Sequence, residues 1–362
     1  MDITKIVITG GPCAGKTTAL SRIRNYFSKM GYTVLIVPET ATELISGGVA
    51  PWTCKTNLEY QLCHMKLQLE KEAVFVRAAS TMEGKKALIV CDRGVTDCKA
   101  YMTARDFEAA AEALGADEVD LRDGYDAVFH LVTAAKGAEE FYTLSNNEAR
   151  TETLEQAREL DDALISAWTG HPHFRVICND TDFEGKMKKL TEEIASVLGE
   201  PEPFEIEHKY LIEYPDISYL ESLPNCRKVE IIQTYLKTDD GHEARVRQRG
   251  AGGSYIYFKT EKIRVSDVKR VEIEQRLTQK EYLTALMDAD TSLRQIRKTR
   301  YCLSYGSQYF EIDIYPFWSD KAVVEVEFSN ENEKVIMPDF IKVIKEVTDD
   351  RSYSNYELAK TI

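Results

Sequence analysis

An eight-residue turn, Gly10-Gly11-Pro12-Cys13-Ala14-Gly15-Lys16-Thr17, constrains the first half of this chain more than any other feature. It follows an apolar run, Ile3 to Ile8. It also opens a segment in which Leu20, Ile23, Phe27 and Met30 recur at helical spacing. Between a strand and a helix, glycines let the backbone wrap tightly and aim its N–H groups and the helix N-terminus at phosphate oxygens. Lys16 is then placed to reach the β- and γ-phosphates, and Thr17 to offer its hydroxyl to magnesium. Gly10, Gly11, Pro12, Cys13, Ala14, Gly15, Lys16, Thr17 and Thr18 form the candidate nucleotide-binding set. Such a cradle takes any base, so ATP and GTP both stay open.

The chain has 362 residues, more than the roughly 250 that one core usually supports, so two domains are expected. Five short apolar runs read as buried strands: Ile3 to Ile8, Thr33 to Val37, Ala87 to Cys91, Ala127 to Val132 and Phe174 to Cys178. Helical patterns lie between them, including Leu58, Leu62, Met65 and Leu69, and the amphipathic stretch Lys186 to Leu198 follows. Alternating strand and helix predicts an α/β domain, a doubly wound parallel sheet. Pro201 and Pro203 interrupt any helix, and beyond them the period is two. The domains are therefore placed at residues 1–199 and 204–362. Eight candidate strands fill the second: Glu205 to Ile212, Val229 to Lys237, Glu243 to Arg249, Ser254 to Glu261, Lys269 to Leu277, Ile296 to Tyr305, Gln308 to Tyr315 and Ala322 to Phe328. Turns such as Gly250 to Gly253 join them into an eight-stranded antiparallel barrel or sandwich.

Bulk properties exclude several classes. No apolar run approaches the ~20 residues that span a bilayer, and the N-terminus lacks the pattern of a signal peptide, so a cytoplasmic location is expected. The eight cysteines show no C-x-x-C pair and read as reduced thiols. A formal charge of -14 argues against general nucleic-acid binding.

Asp92 ends the third apolar run, where an acid either holds a magnesium-bound water or caps the surface. Glu39, in Val37-Pro38-Glu39-Thr40, either faces an acceptor hydroxyl as general base or caps the next helix. These residues stand with Arg93, Gly94, Asp97, the segment Asn146 to Arg150, Arg158, Ile177-Cys178-Asn179, Asp182 and Lys186. Together they resemble the P-loop nucleoside and ribosylnicotinamide-kinase-like family over residues 1–198. The resemblance implies a lid whose Arg150 and Arg158 approach the transferring phosphoryl group. Taken alone, those arginines equally suit pairing with Glu152, Glu155 and Glu159. Asn179 is a candidate contact to the base.

In the second half each strand carries its charges on one parity: Glu205, Glu207 and Lys209, then Arg245, Arg247 and Arg249, then Lys298 and Arg300, Glu311 and Asp313, Glu325 and Glu327. The alternate positions are largely apolar, among them Val246, Ile256, Phe258, Ile312, Val324 and Val326. A solvated face usually mixes signs, whereas whole strands here are acidic or basic, and like charges side by side cost stability unless a ligand offsets them. Turned inward, this face predicts an acidic patch for hard cations and a basic patch for phosphate oxygens.

Glu205-Ile206-Glu207-His208-Lys209 is similar to the E-x-E-x-K opening of the CYTH superfamily, the triphosphate tunnel metalloenzymes. Arg245-Val246-Arg247, Lys259, Glu272-Ile273-Glu274, Lys298-Thr299-Arg300, Glu311-Ile312-Asp313 and Glu325-Val326-Glu327 follow in the family's order over residues 204–362. The resemblance implies an eight-stranded β tunnel, with magnesium or manganese at Glu205, Glu207, Glu311, Asp313, Glu325 and Glu327. It implies a triphosphate on Lys209, Arg245, Arg247, Lys259, Lys298 and Arg300. Lys209 joins Glu39 and Asp92 as a catalytic candidate, while off-parity His208 is expected to face outward or pack. The leading expectation is metal-dependent hydrolysis of inorganic or another triphosphate, beside a domain that binds ATP or GTP. One alternative is a small-molecule or nucleoside kinase using the P-loop. Another rests on the pairing itself, which is similar to that of animal channel-trafficking proteins: a nucleotide-dependent regulator that binds an anionic lipid such as phosphatidic acid.

Overall fold

The computed structural model describes residues 2–84, 86–142, 153–200, 206–238, 242–264, 270–306, 308–328 and 334–361, with backbone alone at 141, 206, 262–264, 270–273, 327 and 328. The chain divides into two compact units, Met1–Leu198 and Gly199–Ile362.

In the first unit the order is β1 (Asp2–Gly10), α1 (Lys16–Lys29), β2 (Thr33–Val37), α2 (Thr40–Ser46), α3 (Asn57–Thr81), β3 (Lys86–Asp92), α4 (Ala104–Ala113), α5 (Glu118–Arg122), β4 (Ala127–Leu131), α6 (Leu154–Trp168), β5 (Phe174–Ile177) and α7 (Phe183–Val197). Among the described residues these strands form one parallel sheet in the order β2-β3-β1-β4-β5. Ile6 to Ile8 and Leu88 to Cys91 are fully buried, because a sheet covered on both faces has no solvent side and needs continuous apolar runs. Ile23 and Phe27 of α1 and Met187, Leu190 and Ile194 of α7 share a core with Ile6, Ile8 and Phe129. β1 has β3 on one side and β4 on the other, so the topology reverses beside it. The crevice at such a reversal lies beyond the carboxyl ends of the strands, where Gly10 and Asp92 stand.

α3 departs from its expected stripe. Met65 is buried, but Leu58, Leu62 and Leu69 are only half-buried, and Tyr60, Gln61, Gln68 and Glu72 are covered instead. Gln68 and Glu72 tolerate burial because they are hydrogen-bonded. Thr40 Oγ1 donates to Gln68 at 2.5 Å, while Tyr125 Oη at 2.8 Å and Lys5 Nζ at 2.9 Å donate to Glu72.

The second unit holds β6 (Ile206–Glu213), β7 (Cys226–Leu236), β8 (Glu243–Ala251), β9 (Ser254–Arg264), β10 (Arg270–Leu277), β11 (Ile296–Tyr305), β12 (Gln308–Ile314), β13 (Lys321–Phe328) and β14 (Val343–Glu346). They pair antiparallel throughout, in the order β10-β9-β8-β7-β11-β12-β13-β6-β14. Among the described residues the strand count is nine rather than eight. The additional strand, β14, has four exposed residues and no buried alternate to mark it. β8 and β9 are joined through Gly252 and Gly253, with φ of 62° and 95°, the left-handed pair that a tight two-residue hairpin requires.

One face of this sheet buries Tyr301, Leu303, Phe310, Ile312, Val324 and Val326 in a shared core. The other face carries the charges. Register corrects the reading of β9: Arg247 pairs with Phe258 and Arg249 with Ile256, whereas Lys259 pairs with Val246. Directly paired residues point to the same side, so Phe258 and Ile256 share the arginine face and Lys259 lies on the opposite one. None of the eight cysteines forms a disulfide, and among the described residues no helix is long and apolar enough to cross a membrane.

Candidate phosphate sites

β1 delivers the chain at Gly10 into a turn with positive φ at Cys13 (57°) and Gly15 (93°). Gly15 occupies the cap of α1 without a side-chain hydrogen bond, which leaves first-turn N–H groups for an anion. A Cβ at Gly15 would stand 2.8 Å from the Phe183 ring, so the close approach requires glycine. Lys16 folds back, its Nζ 3.1 Å from the Gly10 carbonyl. Burial, helped by the charge of Arg93, lowers its ammonium to about 8. Thr17 and Thr18 follow in the first turn of α1, both exposed.

Asp92 closes β3. Its carboxyl is pushed up, first by burial and then by the charges of Glu39 and Asp97, and its Oδ1 is buried without a hydrogen-bond partner. Such an orphan costs of order 1–3 kcal/mol, so a ligand that satisfies it belongs here. The oxygens of Asp92 and the hydroxyl of Thr17 are donors that magnesium takes, and the site fits that ion.

Glu39 stands at the N-cap position of α2, but its side chain does not cap the helix. Burial works to raise its carboxyl, yet Arg93, the Thr42 hydroxyl and Lys16 prevail and bring it to about 2. Arg93 Nε lies 2.6 Å from Glu39 Oε1, and Arg93 Nη1 lies 3.2 Å from Asp97 Oδ2. A carboxylate that weakly basic is a poor general base near neutral pH. Arg93 and Asp97, which stand in the kinase-like sequence motif without an expected role, thus pair within the crevice. Arg93 has φ of 69°, a strained backbone that leaves no mark in a single sequence.

Asn179 is committed within the fold rather than open to a base: its Nδ2 donates to Thr133 O and Lys136 O, both at 2.8 Å, and its Oδ1 accepts from Lys186 at 2.7 Å. Arg158 donates to Ala135 O at 2.6 Å and to Glu139 at 3.1 Å, not to Glu155 or Glu159. Arg150 lies outside the described residues, as does Glu152.

In the second unit Lys209 sits between two acids, its Nζ 3.0 Å from Glu207 and 2.9 Å from Glu325. Arg300 reaches Asp313 through Nε and Nη2, both at 2.7 Å, and Glu325 at 3.0 Å, and also bonds Glu311. Lys298 donates to Asp313 as well. Burial opposes the neighbouring charges at Glu325 and Lys209. Even so, Lys209, Lys298 and Arg300 hold Glu325 far below the usual carboxylate range, while Glu325 and Glu207 hold Lys209 above its ordinary value. Burial and the neighbouring Arg300 push Lys298 down. The order β11-β12-β13-β6 flanks the acidic strands β12 and β13 with Lys298 and Arg300 of β11 on one side and Lys209 of β6 on the other, so the expected separate patches become one ion-pair cluster.

Two strands from β11, Arg247 of β8 bonds Glu274 and keeps its Nε buried without a hydrogen-bond partner. Arg245 approaches Glu243 at 3.9 Å, and Lys259 approaches Glu261 at 2.8 Å. Glu205 and the Glu327 side chain lie outside the described residues. Glu207, Glu311, Asp313 and Glu325 are hard oxygen donors of the kind magnesium or manganese takes, although cations of the protein already engage them. Among the described residues no three His, Cys, Asp or Glu side chains stand together as a ready metal centre. His208, off the charged parity as expected, meets Glu346 at 3.0 Å.

Family models match both halves of the chain: the AAA domain over residues 5–186 and the CYTH domain over residues 203–353. Two solved structures are similar to part of the chain. One, described as the hypothetical protein NE1496, is 33% identical over 44% of this chain and 99% of its own, with a TM-score of 0.32. The other, described as the inorganic triphosphatase NE1496, is 32% identical over 44% of this chain and 96% of its own, with a TM-score of 0.31. No curated protein matches the chain.

Proposed function

Because the chain belongs to the AAA domain family and carries a CYTH domain behind it, we propose that it is a metal-dependent triphosphate hydrolase whose P-loop domain binds ATP or GTP. Arg247 carries the reading: a buried guanidinium N–H lacks an acceptor on the same sheet face as Lys298 and Arg300. A phosphate oxygen is the acceptor such a planar donor suits best. A triphosphate would also compete with Glu311, Asp313 and Glu325 for Arg300, Lys298 and Lys209, releasing carboxylate oxygens as it binds. Those carboxylates, with Glu207, would hold magnesium or manganese, which neutralises phosphate charge when bound. The chain's own part is to orient the phosphates for in-line attack by water on the terminal phosphorus.

Phosphate release from inorganic triphosphate, ATP and GTP tests this on the full chain with Arg247→Ala and Lys16→Ala. Release should fall at least tenfold in the first variant and persist in the second, since one charge-assisted hydrogen bond is worth about 1.5–3 kcal/mol. Release that depends on Lys16 alone would overturn the reading.

Asp92 favours a second reading, phosphoryl transfer from the P-loop nucleotide to a small acceptor. Its Oδ1, buried without a hydrogen-bond partner, is an acceptor for the proton of an acceptor hydroxyl. Labelled γ-phosphate should then reach a nucleoside or sugar acceptor and fail to do so in Asp92→Asn.

A further inference from the structure

Three buried side chains from outside the P-loop grip its backbone. Thr133, just beyond β4, donates from Oγ1 to Pro12 O at 2.5 Å. Lys186 of α7 donates from Nζ to Ala14 O at 3.2 Å, and to Val132 O and Asn179 Oδ1, each at 2.7 Å. Asp161 of α6 accepts the Gly11 N–H on Oδ1 at 3.1 Å, together with the Thr133 N–H at 3.1 Å and His130 Nε2 at 2.9 Å. Its other oxygen accepts from Lys136 at 3.0 Å. Thr133 and Asp161 are fully buried, and Lys186 is 3% exposed.

In a planar trans peptide the C=O and the next N–H point in opposite directions, so holding one aims the other. With Pro12 O and Ala14 O drawn to Thr133 and Lys186, the N–H groups of Cys13 and Gly15 turn away from those side chains. With the Gly11 N–H drawn onto Asp161, the Gly10 C=O turns away from Asp161, and it receives the Lys16 ammonium at 3.1 Å. The positive φ values at Cys13 and Gly15 belong to the kind of concavity in which successive N–H groups converge on an anion. Gly11 allows the grip, since a Cβ there would lie 2.9 Å from Asp161 Oδ1.

We propose that Asp161, Thr133 and Lys186 are positioning residues for the nucleotide phosphates, presetting the peptide planes of residues 10–15 so that donors converge without reorganising. Preorganised donors bind better because the ordering cost is met in folding. The inference rests on nucleotide binding at the P-loop, and it concerns the residues that shape the cradle rather than those that touch the ligand.

The test is equilibrium binding of Mg·ATP, Mg·GTP, adenosine and guanosine to the full chain. Lys16→Ala serves to subtract binding elsewhere. Lys186→Met and Thr133→Val should each weaken the Lys16-dependent affinity for triphosphate about tenfold, the worth of one hydrogen bond. Nucleoside affinity should hold, and Lys186→Arg and Thr133→Ser should recover most of the loss. Unchanged triphosphate affinity overturns the proposal. So does an equal loss for nucleoside and triphosphate that tracks the urea midpoint, because that is a purely structural effect. If the wild type shows no Lys16-dependent binding for any probe, nucleotide binding itself fails, and the inference fails with it.

Discussion

Arg300 and Asp313 are register partners on neighbouring strands and meet through two parallel hydrogen bonds, Nε to Oδ1 and Nη2 to Oδ2, both at 2.7 Å. Asp313 is fully buried. Removing one member of such a pair strands the other charge in the interior, at a cost of order 3–5 kcal/mol. Asp313→Ala should lose about that much stability in urea unfolding. The double variant Asp313→Ala with Arg300→Met should lose clearly less than the sum of the singles. Additive losses would show that the two residues are not coupled.

Glu39 predicts an acid-limb dependence in the first unit. Its folded carboxyl sits at about 2, below the ordinary unfolded value of about 4.3. A depressed carboxyl contributes stability that is complete above the unfolded value and is lost as pH falls toward the folded one. The stability gap between wild type and Glu39→Gln should therefore be full above about pH 5 and shrink on acidification toward pH 2. A gap independent of pH would contradict the Arg93 pairing.

The opposite limb belongs to lysines. Lys16 must be protonated to attract phosphate, and burial brings both it and Lys186 to about 8. Nucleotide affinity should fall as pH rises through about 8. Arginine keeps its charge there, so Lys16→Arg with Lys186→Arg should flatten the profile up to about pH 10. Titration calorimetry at fixed ionic strength reads both curves.

Gly15→Ala should damage the first unit's site while leaving the second unit alone. The new methyl would meet the Phe183 ring at 2.8 Å, at a φ of 93° that alanine adopts only under strain of about 1–2 kcal/mol. Lys16-dependent nucleotide binding should drop tenfold or more, with phosphate release from inorganic triphosphate unchanged. Parallel loss of both activities would mean that a single site serves both.

Much of this architecture is legible in the sequence because burial leaves periodic traces. Strands covered on both faces need unbroken apolar runs, so β1 to β5 stand out. The one-sided strands β6, β11, β12 and β13 announce themselves by alternation. β14 does not, since four exposed residues carry no contrast between faces. Parity within a strand also cannot say which side of the next strand it joins. That is decided by register, which sets Lys259 opposite Val246 and brings Arg300 to Asp313. Of the residues that grip the P-loop, Lys186 stands in the kinase-like motif without a role, and Thr133 and Asp161 do not show at all. Asp161 lies 150 positions from Gly11, and Lys186 lies 172 from Ala14, so no local pattern links them.

The cap of α1 is Gly15, which has no side chain to answer the helix's first N–H groups. A nucleotide phosphate seated there would complete the helix as a capping residue does elsewhere. Occupancy and heat resistance then become two readings of one quantity, because a ligand at about 100 times its Kd adds about 2.7 kcal/mol to the state that binds it. The first unit's melting temperature would thus act as a thermometer of nucleotide supply, rising and falling with the triphosphate pool around it.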